Sequence, residues 1–461
     1  MSDFDSKSQV QQTSGRDSFA TSFGVVAAAA GSAIGLGNIW KFPYITGMNG
    51  GSAFIIVYLA CIAVIGFPVM LSEFMIGRKA EKNAIGSFKK LSPGTPWFLT
   101  GWMGFLAAFM ILSFYGVVAG WSLNYVFQSI TGSLSGLDPK QMGDFFGGFI
   151  TGTISPIIWQ TIFMALTGYI VYAGIKNGIE KWSKILMPLL LLLIIVLDVR
   201  ALTLPGAGAG VEFLFKPDFS ALTASGVLVA LGHAFFSLSL GMGTMITYGS
   251  YISKKENLGK TAMQVTIADT VIALLAGLAI FPAVFAFGIE PGAGPSLVFI
   301  TIPNIFNMLP GGMIWSTLFF ILLSLAALTS AISILEVVVA YLVEEAKMSR
   351  HKGTVIATVS ITIIGFFASL SMGPMSDFLI FGKNFFDVLD WTSANVLLPL
   401  GGLFITLYVG WVWGPKTTLT ELSNNGELSI SYLGVLMVLC RFVAPIAIAI
   451  VFLNGIGILK F

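Results

Sequence analysis

Three short stretches hold most of the groups in this chain that are placed to do chemistry. The first, GSAIGLGNIWKFPY (Gly31 to Tyr44), sets Ser32, Gly35, Gly37 and Asn38 where a membrane span would carry Leu, Ile and Val. The second, SLSLGMG (Ser237 to Gly243), joins hydroxyls to a second pair of closely spaced glycines. The third, AALTS (Ala326 to Ser330), ends on two adjacent hydroxyls, Thr329 and Ser330, inside an apolar run. A helix broken by glycine within lipid exposes N–H and C=O groups that the bilayer cannot satisfy, so it persists only where something buried uses them. Small hard cations take oxygen ligands, namely carbonyls, hydroxyls, amides and carboxylates. Carbonyls near Ala33 and Ile34, with Asn38, Ser237, Thr329 and Ser330, make up such a set. The chemistry these stretches predict is the binding of a solute and a cation at membrane depth.

Carboxylates at that depth are costly and usually functional. Asp269 lies in the first third of its apolar segment and suits a cation ligand. Glu73 serves equally well as a structural acceptor for the amides of a broken helix, and Glu336 has no assignment. Plainer roles compete with each of these. Glycines allow close helix packing, and Thr or Ser hydroxyls bond back to the preceding helical turn. Lys41 with Asp390, and Arg16 with Glu344, are opposed pairs that act either as gates or as solvated loop charges. The two histidines and two cysteines form no transition-metal motif. No nucleophile–base–acid arrangement occurs and no phosphate-cradling loop follows a strand, so the chain is not read as an enzyme.

The elements that position these residues follow from composition. Of 461 residues, 56% are hydrophobic and 10% charged, against about a quarter charged in soluble domains; the mean hydropathy is +0.89. The chain reads as an all-α polytopic membrane protein. Spans of about 20 apolar residues fall at 18–44, 51–77, 98–129, 152–173, 182–202, 223–252, 259–288, 313–346, 353–371, 384–413 and 430–458, giving eleven transmembrane helices. The apolar, proline-bounded segment 295–310 is too short to cross and reads as a re-entrant or surface hairpin. Residues 1–17 lack the signature of a cleaved signal peptide and read as a cytoplasmic tail. Most of the 24 basic residues then fall in cytoplasmic loops, as the positive-inside rule requires, and the carboxyl terminus lies outside. Cys61 and Cys440 sit in apolar segments as small buried hydrophobes. A net charge of +2 gives no footprint for nucleic acid. The Gly-x-Gly breaks of spans 1 and 6 each open a group of five, so 18–202 and 223–413 read as two repeats of opposite orientation, with 430–458 as one additional helix. Paired discontinuous helices point to an inverted-repeat transporter.

The same motifs carry a family resemblance. GSAIGLGNIWKFPY, NGGSAF (Asn49 to Phe54), EFMIGR (Glu73 to Arg78), SLSLGMGTMITYGSY and LTSAISILE occur in order along nearly the whole chain, which resembles the neurotransmitter:sodium symporter family. The resemblance implies sodium-coupled uptake by alternating access, with two co-transported sodium ions beside the substrate. The first ion would meet Ala33, Asn38, Ser237 and Asp269, and the second Gly31, Ile34, Ala326, Thr329 and Ser330. A substrate carboxylate would bond the Leu36 and Gly37 amides and the Tyr115 hydroxyl. The ammonium would meet oxygens of Ala33, Phe236, Ser237 and Ser239. Ile111, Phe236, Met242, Ser330 and Ile334 would surround the side chain. Tyr115 and Phe236 would cover the substrate beneath Lys41 and Asp390, while Arg16, Glu344 and Tyr251 would close the inner side. Gly178 and Pro188 match a spacing that lets span 5 unwind.

Gly35 bears on substrate class. Relatives that carry monoamines have aspartate there, whereas glycine leaves room for a carboxylate, so a hydrophobic or aromatic L-amino acid is expected. Chloride-dependent relatives use the anion to offset charge near the first sodium; Asp269 supplies that charge here, which implies no chloride requirement. Lysine replaces the usual arginine at position 41 and cannot form the same bidentate fork, and His233 stands where glutamine is common. The expected location is a cytoplasmic (inner) membrane in contact with lipid, and the sequence leaves the oligomeric state open. The rival reading is a non-transporting amino-acid receptor or sensor of the same fold.

Overall fold

The computed structural model describes residues 18–289 and 297–459. Arg16 and the tail over 1–17 lie outside the described residues. The described chain is helical: α1 (Ser22–Ala33), α2 (Gly37–Met48), α3 (Ser52–Ala80), α4 (Ala84–Leu91), α5 (Phe98–Ile130), α6 (Pro139–Ile150), α7 (Ser155–Tyr172), α8 (Ile175–Leu202), α9 (Ala207–Phe215), α10 (Ala224–Ser237), α11 (Thr244–Gly249), α12 (Leu258–Ala286), α13 (Leu297–Asn307), α14 (Gly312–Glu344), α15 (Arg350–Leu370), α16 (Phe385–Leu422) and α17 (Leu433–Gly455). Among the described residues, eight helices are long and apolar enough to cross a membrane, and up to ten segments are if each bent pair counts once. The pair α1 and α2 bends by 48°, and α6 and α7 by 72°. The sixth expected span is two short helices, α10 and α11, interrupted over 238–243.

Local chemistry sets these boundaries. Thr21 caps α1 by accepting the Gly24 amide at 3.0 Å, and Thr223 caps α10 through the Gly226 amide at the same distance. The gap between α10 and α11 turns through Ser239 (φ 54°), Gly241 (φ 76°) and Gly243 (φ 75°), left-handed conformations that glycine adopts without a Cβ penalty. Gly241 also touches the Leu398 carbonyl, so a side chain there has no room.

The segment 295–310 departs from the sequence reading. Among the described residues it is one short helix, α13, rather than a hairpin, with Leu297, Val298, Phe299 and Ile305 buried. Aromatic edges explain the burial. Phe299 stacks on Phe146 with centroids 5.2 Å apart and meets Tyr125 edge-on at 5.2 Å. Eleven residues, about 16 Å of helix, cannot span a bilayer. Asn307 fixes the far end by donating to the Leu134 carbonyl at 2.8 Å.

The most buried helices, α5 and α14, carry the site at their middles. By contrast α8 and α17 expose many Leu, Ile and Val side chains, as lipid-facing helices do. Cys61 and Cys440 are free thiols, Cys440 being buried.

Candidate functional site

The break in the first span is held open by side chains that replace the lost helical bonds. The Gly35 amide donates to Asn38 Oδ1 at 3.0 Å, and the Leu36 amide donates to the Tyr115 hydroxyl at 3.1 Å. Asn38 Nδ2 in turn donates to Asp269 Oδ1 at 2.8 Å and to the Asp269 carbonyl at 3.2 Å. Ser237 Oγ lies 3.0 Å from both carboxylate oxygens of Asp269. Three of the four residues expected around a first cation therefore converge directly, on a carboxylate that is fully buried. Ala33, the fourth, is the last residue of α1.

A second group of oxygens gathers where α1 meets α14. Ser330 Oγ lies 3.3 Å from the Gly31 and Ile34 carbonyls and donates to Ser32 O at 2.8 Å. Thr329 Oγ1 lies 3.0 Å from the Ala326 carbonyl and 3.4 Å from that of Ile34. All five residues expected at the second cation position thus share one buried cluster. The hydroxyls currently bond the carbonyls, and turning them would leave an all-oxygen set of the kind a small hard cation prefers. Ser32 stood out in the sequence as a polar position, but the part its carbonyl plays was missed. Its carbonyl accepts both Ser330 Oγ and Ser239 Oγ, the latter at 2.9 Å, and a backbone oxygen leaves no mark in the sequence.

Beside the second cluster, with which it shares Ser330, lies a narrow, mostly apolar pocket. Ile111, Tyr115, Phe236, Met242 and Ile334 line it with the Ala33–Gly37 break, Ser239 and Ser330. Of the residues expected to touch substrate, only Ser237 is set back from this lining, on the Asp269 side. Above the pocket a cavity of about 270 Å³ opens between Trp40, Tyr44, Phe114 and Phe386. Lys41 and Asp390 both line it, yet Lys41 Nζ sits 4.6 Å from the Phe236 ring centroid, a cation–π contact, and makes no ion pair with Asp390.

Glu73 takes the structural role open to it. Its Oε1 accepts the Gly241 amide at 2.7 Å, satisfying a donor freed by the α10–α11 break. His233 is buried between Phe42 and Tyr58, with ring centroids 5.9 and 5.4 Å away. Glu336, unassigned from sequence, accepts Tyr251 Oη at 2.7 Å and Arg350 Nη2 at 2.5 Å. Arg350 also bonds the Val171 carbonyl at the end of α7. Glu344 accepts the Asn83 amide at 2.8 Å and Asn83 Nδ2 at 3.0 Å. In α8, Gly178 packs on the Ile170 carbonyl within a wide π-helical turn over Ile175–Glu180, and Pro188 lies inside the helix. Among the described residues no cluster of His, Cys, Asp and Glu has transition-metal character.

A family model described as the sodium:neurotransmitter symporter family matches residues 16–139 and 151–460. An uncharacterized sodium-dependent transporter of Bacillus subtilis, YhdH, is 44% identical over 443 residues, covering 96% of this chain and 98% of that protein. The mouse (Mus musculus) sodium- and chloride-dependent GABA transporter 2 is 28% identical over 444 residues, covering 84% of this chain and 72% of the relative. The crystal structure of MhsT in complex with L-phenylalanine superposes with a TM-score of 0.88 at 49% identity, covering 96% of this chain and all of that one. With two buried oxygen clusters and a pocket at a broken helix, the chain belongs to the sodium:neurotransmitter symporter family, whose members are sodium-dependent membrane transporters and not enzymes.

Proposed function

We propose that this protein is a symporter that carries a hydrophobic or aromatic L-amino acid together with two sodium ions by alternating access, without chloride. One observation carries the reading: the oxygens of α1, α2, α10, α12 and α14 gather in two buried clusters close to a narrow, mostly apolar pocket. The first ion takes Ala33, Asn38, Ser237 and Asp269, and the second takes Gly31, Ile34, Ala326, Thr329 and Ser330. The substrate carboxylate meets the Leu36 and Gly37 amides, where the positive end of α2 favours an anion, and the Tyr115 hydroxyl. Because ion and substrate share the first site, each strengthens the other's binding reciprocally.

An apolar pocket lined by Ile111, Phe236 and Ile334 selects a large hydrophobic side chain, and Met242 adapts its shape. That the similar MhsT was solved with L-phenylalanine supports this class. Asp269 supplies the negative charge that chloride gives other members. The eleven-span arrangement, with repeats at 18–202 and 223–413 and 430–458 as the additional helix, orients the amino terminus to the cytoplasm and Lys41 and Asp390 to the outside. On this reading the protein sits in the inner membrane.

The test is uptake into liposomes holding the purified protein, with an inward sodium gradient and radiolabelled phenylalanine, tyrosine, tryptophan or leucine. Accumulation above the external concentration that collapses when potassium replaces sodium is the expected result, and it persists when gluconate replaces chloride. Sodium-dependent binding without accumulation would instead identify a receptor.

A further inference from the structure

We propose that Glu180 is a positioning residue for sodium: it latches the residues that lead into α1, including its cap Thr21, so that the carbonyls at the other end of that helix stay in register with α14. The latch is visible atom by atom. Glu180 Oε2 accepts the Ala20 amide at 2.7 Å and Oε1 accepts the Thr21 hydroxyl at 3.0 Å. Lys184, one turn on, holds Oε1 at 2.5 Å, so the carboxylate keeps its charge and its rotamer although Glu180 is only 1% exposed. Gly24 presses on this carboxylate. A Cβ at Gly24 would stand 2.5 Å from Glu180 Cδ and closer still to Oε1. The absence of a side chain at Gly24 is what lets the carboxylate reach the two donors.

Three further contacts hold the same stretch. Ser22 Oγ donates to Glu256 Oε1 at 2.5 Å, and the Phe19 amide donates to the Tyr251 carbonyl at 3.2 Å. The Phe19 ring meets Tyr248 edge-on at 5.6 Å. Glu256 sits in a connection that Arg78 fixes through its backbone carbonyl at 2.7 Å, and Arg78 is itself paired with Glu421. That side is tied through Glu256 to the Arg78–Glu421 pair, and the other side rests on Glu180 of α8. Glu180 ends the wide turn of α8, which follows Gly174 at φ 93°. A wide turn is a local irregularity of a kind often found at functional sites.

The consequence is mechanical. α1 is a twelve-residue rod whose far end gives the Gly31 and Ile34 carbonyls to the cluster with Thr329 and Ser330. If the near end comes loose, the rod no longer holds those carbonyls at bonding distance. Sodium and the latch then stabilise the same seated state of α1, and the apparent sodium affinity falls by the fraction of molecules left seated. The inference rests on the assignment of the second ion to this cluster.

The experiment uses the full-length purified protein, sodium chloride as the probe with choline chloride as control, and two readouts that need no amino acid. One is the sodium concentration that gives half of the sodium-induced rise in melting temperature. The other is hydrogen exchange of a peptide spanning Phe19 to Val26. E180A and G24A, which break the same contact from opposite sides, should each raise the half-maximal sodium roughly tenfold, the factor that about 1.4 kcal/mol carries. Both should speed exchange of the peptide, and the faster exchange should disappear at saturating sodium. E180Q, which keeps an acceptor but loses the charge, should fall between. Wild-type sodium dependence in both E180A and G24A overturns the latch. So does a loss of folded protein with the sodium midpoint unchanged, the mark of a merely structural residue. If E180A does not fold, G24A and T21V decide. Failure of the wild type to respond to sodium would overturn the ion-site assignment instead.

Discussion

Gly35 sits where the two halves of the candidate site meet, and adding a single methyl group there tests the whole arrangement. A Cβ at this position would lie 2.8 Å from the Tyr115 hydroxyl and 3.1 Å from Ser330 Cβ, with Ser330 Oγ closer still. Ordinary contact begins near 3.4 Å, so Tyr115 must retreat by about 0.6 Å and Ser330 must rotate away. The retreat stretches the 3.1 Å bond from the Leu36 amide, and the rotation gives up the 2.8 Å bond from Ser330 to Ser32 O. Each net hydrogen bond is worth about 0.5–1.5 kcal/mol. The pair sums to about 1–3 kcal/mol, or roughly 5- to 150-fold in an equilibrium constant. Both Tyr115 and Ser330 face the pocket, and Ser330 also faces the carbonyls of Gly31 and Ile34. G35A should therefore weaken sodium and amino-acid binding together. Binding of radiolabelled L-phenylalanine to purified protein across a sodium titration measures both. G143A, whose added Cβ would meet nothing within 4 Å, is the matched control. Affinities for sodium and phenylalanine indistinguishable from wild type in a folded G35A would refute the packing argument.

Three further outcomes are expected. D269N leaves the Asn38 and Ser237 donors without their carboxylate, so uptake should fall at least about tenfold in gluconate and recover in chloride; equal uptake in both salts would count against the charge role of Asp269. R350Q removes the charged partner of the buried Glu336 carboxylate, which keeps its bond from Tyr251 Oη, and should destabilise the protein by less than the about 3–5 kcal/mol of a fully buried broken pair, since Arg350 keeps 19% exposure. Thermal melts should show E336Q/R350Q less damaged than R350Q alone. K41R puts a planar fork in the cavity that Asp390 lines and should slow dissociation of bound amino acid, measured by isotope dilution.

What the sequence made legible was whatever interrupts a pattern. Gly35, Gly37, Gly241 and Gly243 stand out because they fall inside apolar runs, and Asp269 and Glu73 because a carboxylate there needs a reason. Those residues lie at the breaks, or bond to groups freed by them. Backbone acceptors were legible only as a group near the break, around Ala33 and Ile34, so the particular part of the Ser32 carbonyl went unseen. Glu336 lacked an assignment because its partner Arg350 begins the next helix, and no helical spacing links the two. Helix α13 was misread because a short, mostly apolar segment bounded by Pro295 and Pro310 fits a hairpin as well as a short buried helix. The aromatic contacts that decide come from α5 and α6, far away in sequence.

The hydroxyls of Ser239, Thr329 and Ser330 already bond carbonyls of Ser32, Ile34 and Ala326. On the proposed function, arrival of an ion or an ammonium group would be an exchange of partners rather than the filling of unmet demand. Exchange moderates affinity, since each new contact displaces an old one of similar strength. It also makes departure easier, because the oxygens left behind close on one another instead of standing bare in a dry interior. A receptor gains from tight retention, whereas a carrier must let go on the far side as readily as it captured. On the proposed function, interchangeable bonding of this kind would favour release.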